Sequence, residues 1–228
     1  MKLRQGAVWV LRYLYLIAGF AILALGIQTT VQAGLGVSPW DVFHLGVSGR
    51  TGLTLGQVSE AVGLVIVALA WPLGVRPRFA TLLNMTLVGV FIDLFARSGM
   101  LPTPRSTLAA LVQVAAGYAL LGFGSGFYIS ADLGAGPRDS MMLALTRRTG
   151  KSVAAVRTAI EGTALLAGWL LGGPVGWGTV LGVVLVGAAT HAALELFVRL
   201  GRFRGLGLVI RLGPGAAAGH AAPARGEG

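Results

Sequence analysis

Long apolar stretches with almost no charged residues fill most of this sequence and leave little choice of fold. Of the 228 residues, 55% are hydrophobic and only 11% are charged, which is too apolar for an ordinary soluble domain of this size. A helix needs about 20 mostly apolar residues to cross a bilayer. We therefore predict an all-α, polytopic membrane helix bundle, from stretches at residues 13–37, 61–75, 79–92, 106–131 and 158–198.

The last stretch is long enough to cross twice, because Gly172, Gly173 and Pro174 break it near its middle. The sequence therefore predicts six transmembrane helices. Their expected positions are 13–33, 55–73, 79–97, 108–130, 153–172 and 177–198.

An internal repeat is the second constraint. The segment GVSPWDVFHLGVSGRTG at 36–52 returns 98 positions later as GAGPRDSMMLALTRRTG at 134–150. Aligning residues 33–95 with 131–193 without gaps gives 19 identities over 63 positions, where composition alone predicts roughly six. Polar matches are not a product of shared apolar composition. We interpret the sequence as a duplication.

Each copy contains three predicted spans, and an odd number requires the copies to face opposite ways in the membrane. Residues 1–100 are then the first repeat, with a short helix at 38–51, and residues 101–200 are the second, with a short helix at 136–149. Residues 201–228, rich in Gly, Ala, Pro and Arg, are expected to be a disordered cytoplasmic tail.

The basic residues support this topology independently. With a cytoplasmic N-terminus, only Arg50, Arg97 and Arg105 of the 18 Lys and Arg residues fall on the outer side, while the others, including Arg138, fall on or near the cytoplasmic side. We expect a bacterial plasma (inner) membrane protein with both termini cytoplasmic. The net charge of +10 is then a topology signal, so the lipid bilayer is the expected partner and nucleic acid is not. No sequence feature supports a homo-oligomer.

The first apolar stretch imitates a secretory signal that ends near Val31-Gln32-Ala33. Because a similar stretch recurs at 106–131, we expect a retained helix instead.

The repeated segment predicts a short helix. Ser38 is suited to cap it, Pro39 suits its first position, and Asp41 is placed to reach back as in a capping box. Gly52 suits a left-handed cap at the end. In the second copy the same positions hold Gly136, Pro137, Asp139 and Gly150.

About 13 residues make a helix near 20 Å long, which cannot cross a bilayer. Each short helix therefore either lies along the membrane interface or enters the membrane as a re-entrant helix beside a cavity. Asp41, His44 and Ser48 form one polar stripe on the first of them, which fits both placements.

These motifs resemble those of the YczE/YyaS/YitT group of bacterial membrane proteins over residues 10–200. The residues that carry the resemblance are the Gly-x-x-Pro-Trp-Asp motif at 36–41, the Thr-Gly pair at 51–52, Phe-Ala-Thr at 79–81, Asn84 and Asp93. The resemblance implies a multi-pass plasma-membrane protein of a group whose biochemical activity is not established and for which transport is often suggested.

Ionisable side chains within the predicted spans are costly to insert, so each is a candidate functional residue. Toward the outer side, Glu60 and Asp93 could form a cluster with His44 and Arg50. Toward the inner side, Glu161 is four residues from Arg157 and His191 is four from Glu195, a spacing that permits pairing on one helix face. Two such clusters would make two half-channels, as in transporters built from inverted repeats. The alternative is that these side chains only hold the helices together.

We therefore predict a transporter of a small solute or ion. Its pathway is predicted to use Asp41, His44, Glu60, Asp93, Asp139, Glu161 and His191. A membrane regulator or scaffold that transports nothing is the alternative. The sequence holds no HExxH, GxSxG or Walker motif and no cysteine, so we expect no enzymatic activity, metal or cofactor.

Overall fold

The structure of the chain is a computed structural model that describes residues 2–134 and 136–201, with side chains from residue 6 onward. This part of the chain contains eight helices and no strand, so the predicted all-helical class is confirmed for it. The helices are α1 (Lys2–Ala33), α2 (Pro39–Thr51), α3 (Leu55–Ala70), α4 (Phe79–Ser98), α5 (Thr107–Ser130), α6 (Pro137–Thr149), α7 (Val153–Leu170) and α8 (Trp177–Leu200). The predicted tail lies, after Gly201, outside the described residues.

Five helices (α1, α4, α5, α7 and α8) are long and apolar enough to cross a membrane. α3 has only 16 residues and qualifies only together with α2, from which it is bent by 112°. The described chain therefore has five candidate spans, or six if this bent pair counts as one. α3 ends three residues before the sequence predicts, because Pro72 follows and cannot continue the helix.

The antiparallel pair of α1 and α5 forms the centre of the bundle. Gly26 lies so close to Gly117 and Leu121 that any side chain at position 26 would overlap the α5 backbone. Small residues permit this close approach between membrane helices. Near the start of α1, the Arg12 guanidinium donates to the carbonyl of Ala131, at 2.6 Å. The end of α1 and the end of α5 therefore lie at opposite ends of the bundle.

α8 packs along α5, and α4 packs along α1. On the α5–α8 side, the Tyr118 hydroxyl donates to the carbonyl of Gly178 at 2.8 Å, and the Tyr118 ring lies over Gly182. At the other end of these helices, Phe197 makes edge contacts with Tyr15 and Phe127. These contacts fix the outer helices against the central pair.

The segments that follow α1 and α5 return the chain into the bundle. Gly36, with φ of 95°, lies against Gly176, and the Leu35 carbonyl accepts the Gly178 N–H at 2.7 Å. After α5, Gly134 lies beside Thr81 near the start of α4. Each short helix thus begins inside the bundle.

Each short helix packs against an apolar helix of the other half of the chain: α2 against α7, and α6 against α3. Asp41 and His44 of α2 are both only 1% exposed, so α2 is an internal helix. α2 and α6 end at Gly52 and Gly150, whose φ angles of 73° and 66° are left-handed. Asp41 and His44 of the predicted polar stripe therefore face the protein interior.

We predict that the carboxyl ends of α2 and α6 face opposite sides of the membrane, because α1 and α5 are antiparallel. The chain lacks cysteine, so single-cysteine variants at the exposed residues Gly49 and Arg147 are specific probes. An impermeant maleimide should label G49C and R147C from different faces of the cell. Labelling of both from one face would contradict this arrangement.

We also predict that α2 tolerates no side chain on α7 where the two helices cross. A methyl group at Gly168 would overlap the backbone of Val42 and Phe43, whereas one at Gly162 of the same helix meets nothing within 4 Å. Gly168→Ala should therefore destabilise the protein by about 1–3 kcal/mol and lower its melting temperature in detergent. The control Gly162→Ala should leave the melting temperature unchanged or slightly higher, and equal effects of the two substitutions would contradict this packing.

Candidate functional site

The amino-terminal ends of α2 and α6 meet at a cavity of about 190 Å³. The longer helices line the cavity with residues from their middle turns, such as Gly63 of α3, Val88 of α4 and Val186 of α8. The cavity therefore lies near mid-depth of the bundle. Its polar and charged lining residues are Ser38, His44, Ser59, Asn84, Ser125, Tyr128, Arg138, Asp139, Arg157, Glu161 and Thr190.

The first residues of α2 satisfy the start of this buried helix. Ser38 is extended, with φ of −60° and ψ of 155°, and its hydroxyl accepts the Asp41 N–H at 3.4 Å. The same hydroxyl donates to Oδ2 of Asp41 at 2.6 Å. Pro39 occupies the first helical position, where the lack of an N–H costs nothing. The Asp41 carboxylate thus accepts a hydrogen bond from the Ser38 hydroxyl. The sequence predicted a hydrogen bond from the Ser38 backbone N–H instead.

α6 starts differently, because Gly136 has no side chain to serve as a cap. Asp139, in the first turn of α6, instead accepts a hydrogen bond from the Tyr128 hydroxyl, at 2.6 Å. A carboxylate in the first turn also complements the positive end of the helix dipole. This bond ties the start of α6 to the end of α5.

A charged group connects the two short helices across the cavity. Arg138 of α6 places Nη2 4.0 Å from Oδ1 of Asp41, and its guanidinium lies 5.0 Å from the centre of the Trp40 ring. Nδ1 of His44 is 3.7 Å from the same Asp41 oxygen, too far for a hydrogen bond. Oδ1 of Asp41 and both ring nitrogens of His44 are therefore buried without a hydrogen-bond partner within the described structure.

A second ion pair lines the cavity on the α7 side. Nε of Arg157 donates to Oε1 of Glu161 at 2.8 Å, one helical turn apart. The sequence predicted this pair from its spacing. The Arg157 and Glu161 side chains are 45% and 27% exposed, so both have access to the cavity.

Asp93 and Glu60 lie away from the cavity, between α3 and α4. Asp93 accepts hydrogen bonds from the Thr54 hydroxyl and from the Gly56 N–H, the latter at 3.0 Å. It therefore caps the start of α3 from a neighbouring helix. Glu60 packs against Gly89 in the same interface. Such contacts fit the alternative given by the sequence, in which these side chains only hold the helices together.

Neither of the two expected clusters forms as a unit. His44 faces Asp41 and the cavity instead of Glu60 and Asp93, and the Arg50 side chain donates to the carbonyl of Leu171. The expected outer cluster does not form, because α2 lies in the interior and His44 is buried beside Asp41.

His191 and Glu195 do pair, at 3.4 Å, but their side chains are 51% and 48% exposed and they do not line the cavity. Glu195 also lies 3.8 Å from Arg199. The three residues form a surface row on α8, so His191 does not join Glu161 in an inner cluster.

Arg138 and Trp40 are site residues that sequence reasoning missed. The count of basic residues assigned Arg138 to the cytoplasmic side, since an arginine in a loop region is the usual topology marker. A signal was nevertheless present: Arg138 occupies the repeat position of Trp40, next to the proline that starts each short helix. The motif is buried in the first copy, so an arginine within the same motif of the second copy indicates a functional site.

Within the described residues, no group of three or more His, Asp and Glu side chains is placed to hold a metal ion. Fold and site together define a multi-pass α-helical membrane protein with a polar cavity between two short internal helices.

The chain belongs to a family of unknown function, DUF6198, which matches residues 10–194. It is similar to the uncharacterized membrane protein YczE of Bacillus subtilis, with 41% identity over 84% of this chain and 89% of the relative. An uncharacterized protein of Haemophilus influenzae is 32% identical over 81% of this chain and 84% of its own. The uncharacterized protein YyaS of B. subtilis is 29% identical over 83% and 95%. The resemblance drawn from the motifs is thereby confirmed for YczE and YyaS. No solved structure matches the chain.

We predict that Asp93 stabilises the fold. Asp93→Asn removes one acceptor from the start of α3 and should lower the free energy of unfolding by about 1–3 kcal/mol. Thermal unfolding in detergent measures the loss. The exposed residue Asp132 provides the matched control, and Asp132→Asn should have little effect. An Asp93→Asn protein as stable as the wild type would contradict the capping role.

Proposed function

We propose that this protein moves a small solute or ion across the bacterial plasma membrane, through the central cavity and without enzymatic chemistry. The two halves would act as inverted repeats, with both chain termini in the cytoplasm. Transporters built from inverted repeats bind their substrate near mid-membrane, where interrupted helices expose their amino-terminal ends. The convergence of α2 and α6 on one polar cavity is an arrangement of this kind.

The make-up of the cavity carries the proposal. Of its 29 lining residues, 24 form twelve pairs that are 98 positions apart in the sequence, the offset of the repeat. A cavity lined equally by equivalent residues of two copies is expected on the axis that relates them. The pairs are Leu23/Leu121, Ile27/Ser125, Ser38/Gly136, Pro39/Pro137, Trp40/Arg138, His44/Met142, Ser59/Arg157, Val62/Ile160, Gly63/Glu161, Asn84/Gly182, Met85/Val183 and Val88/Val186.

Most helix contacts occur in pairs that are related by the repeat: a contact between two helices has its counterpart between the two equivalent helices. One contact is an exception. α1 packs on α4 as α5 packs on α8, and α2 packs on α7 as α6 packs on α3. α3 also packs along α4, yet α7 and α8 have almost no contact. An inverted-repeat transporter that is open to one side differs between its halves in this way, because the same helices are closed in one half and parted in the other.

Two equivalent glycines mark this difference. Gly89 of α4 contacts the α3 backbone at Gly56, whereas its repeat mate Gly187 of α8 meets nothing within 4 Å. We propose a second state in which α7 closes on α8 at Gly187 while α3 parts from α4. Exchange between the two states would expose the cavity first to one side of the membrane and then to the other.

The acidic residues near the cavity have a defined place in this mechanism. Asp139 and Glu161 line the cavity and Asp41 lies directly behind His44. They offset the charges of Arg138 and Arg157, and a proton or cation that entered the cavity would reach them. Fixed charges at mid-membrane are tolerated only when paired in this manner.

We predict that a cavity residue is accessible from both faces of the membrane. Ser59→Cys, in a chain without native cysteine, places one thiol in the cavity lining. An impermeant maleimide should label it in right-side-out and in inside-out vesicles. Gly49→Cys, at the exposed end of α2, is the control and should react in one orientation only.

A second arm tests the closure itself. Cysteines at Ala154 and Gly187, the repeat mates of Gly56 and Gly89, should form a disulfide under mild oxidation, because α7 and α8 would meet there in the second state. Labelling of Ser59→Cys from one face only, together with no disulfide between positions 154 and 187, would contradict the transport proposal and favour a scaffold that does not change conformation.

A further inference from the structure

We propose that Arg138 binds the carboxylate of a small organic acid in the central cavity, and that the apolar part of the acid contacts α3 and α4. This assignment gives a substrate class to the cavity and rests on the proposed transport function.

Charge is distributed unequally over the two halves of the cavity, although its framework is shared. Where the second half has Arg138, Arg157 and Glu161, the equivalent residues of the first half are Trp40, Ser59 and Gly63. The first half instead offers an aromatic ring. Apolar side chains line both halves, with Val62, Met85 and Val88 of the first half matched by Ile160, Val183 and Val186 of the second, and Ile66 of α3 adds one more on the first-half side. A solute with one charged end and one apolar end fits this division.

Of the two arginines that line the cavity, Arg138 is the one whose hydrogen-bonding capacity is uncommitted in the described structure. Its guanidinium has five N–H donors, and within the described structure its contacts are the Trp40 ring at 5.0 Å and Asp41 at 4.0 Å, with no hydrogen bond. Arg157, by contrast, already donates to Glu161 at 2.8 Å. Stacking on Trp40 holds the planar guanidinium in place and leaves its donor edge available. A planar carboxylate matches that edge with two parallel hydrogen bonds.

His44 is a second, independent indication of a ligand. It is 1% exposed, lines the cavity, and neither ring nitrogen has a hydrogen-bond partner among the described residues. A buried polar group without a partner is costly. A neutral imidazole has one N–H donor, so a carboxylate oxygen beside Arg138 would give His44 a hydrogen-bond partner.

Each carboxylate around the cavity already accepts a hydrogen bond from the protein: Asp139 from Tyr128, Glu161 from Arg157, and Asp41 from Ser38. With three carboxylates beside two arginines, an anion with more than one charge, such as phosphate, is disfavoured. The volume of about 190 Å³ leaves room for a short carboxylic acid.

The test uses the full-length protein purified in detergent and three probes with a common carbon skeleton: propionate, propionamide and propylammonium. Isothermal titration should show binding of propionate but not of the neutral amide or the cation. Arg138→Gln should weaken propionate binding about tenfold or more, and Arg138→Lys, which keeps the charge but not the fork, should fall between. Arg148→Gln removes an exposed arginine from the same helix and should leave binding unchanged.

If Arg138→Gln does not fold, the variant Ser59→Cys tests carboxylate binding in the cavity with Arg138 intact. Propionate should slow the reaction of this thiol with maleimide, and propionamide and propylammonium should not. The assignment is overturned if propylammonium or phosphate binds in place of propionate, if Arg138→Gln binds propionate as tightly as Arg148→Gln, or if propionate gives no protection.

The outcomes separate this assignment from the transport proposal. Propionate binding without access from both faces would keep the carboxylate site and remove transport. Access from both faces without propionate binding would keep transport and remove the carboxylate.

Discussion

A helix that begins inside a membrane has several backbone N–H groups without an intrahelical partner, and hydrocarbon offers them none. The rest of the site depends on how this chain meets that requirement. At α2 the Ser38 hydroxyl accepts from the helix start and is itself held by Asp41. At α6 the N-cap residue Gly136 has no side chain to accept these bonds, and the carboxylate of Asp139, which accepts a hydrogen bond from Tyr128, complements the positive end of the helix dipole in the first turn. With polar groups of the protein at both starts, two short helices can begin at mid-depth and leave a polar cavity between them.

Close backbone contact is what brings those two helix starts together. α2 reaches the interior only because Gly168 and Gly173 let the α7 segment touch the backbone at Val42. The central pair, α1 and α5, is equally close at Gly26 and Gly117. Glycine in these places exchanges side-chain volume for the short helix-to-helix distances that membrane packing favours. The many glycines of this sequence are therefore part of what positions the site.

The fold could be predicted from the sequence further than the site could. Apolar length and the 98-residue offset give most helix ends to within a few residues, because helix length and hydrophobicity are local properties. The start of α1 is the exception: the helix begins at Lys2, where the apolar stretch predicted residue 13. Ser38, Pro39 and Gly52 likewise mark the ends of α2 through local backbone chemistry. Residue spacing does not show which helices touch. Asp93 therefore looked like a pathway residue, although it caps α3, and Arg138 looked like a topology marker, although it lies beside Asp41.

The Trp40/Arg138 pair has a consequence for energetics. Two copies that remained identical would have two end states of equal free energy, related by symmetry. An arginine at the position equivalent to a tryptophan, and a glutamate at position 161 where the first copy has a glycine at position 63, remove that degeneracy. On the transport proposal, the resting protein would then be biased toward one orientation before any solute arrives. In a chimera with these residues exchanged between the halves, the favoured state would be the one that opens to the opposite side of the membrane. The copy that carries the charged residues would therefore determine the direction in which the resting cavity opens.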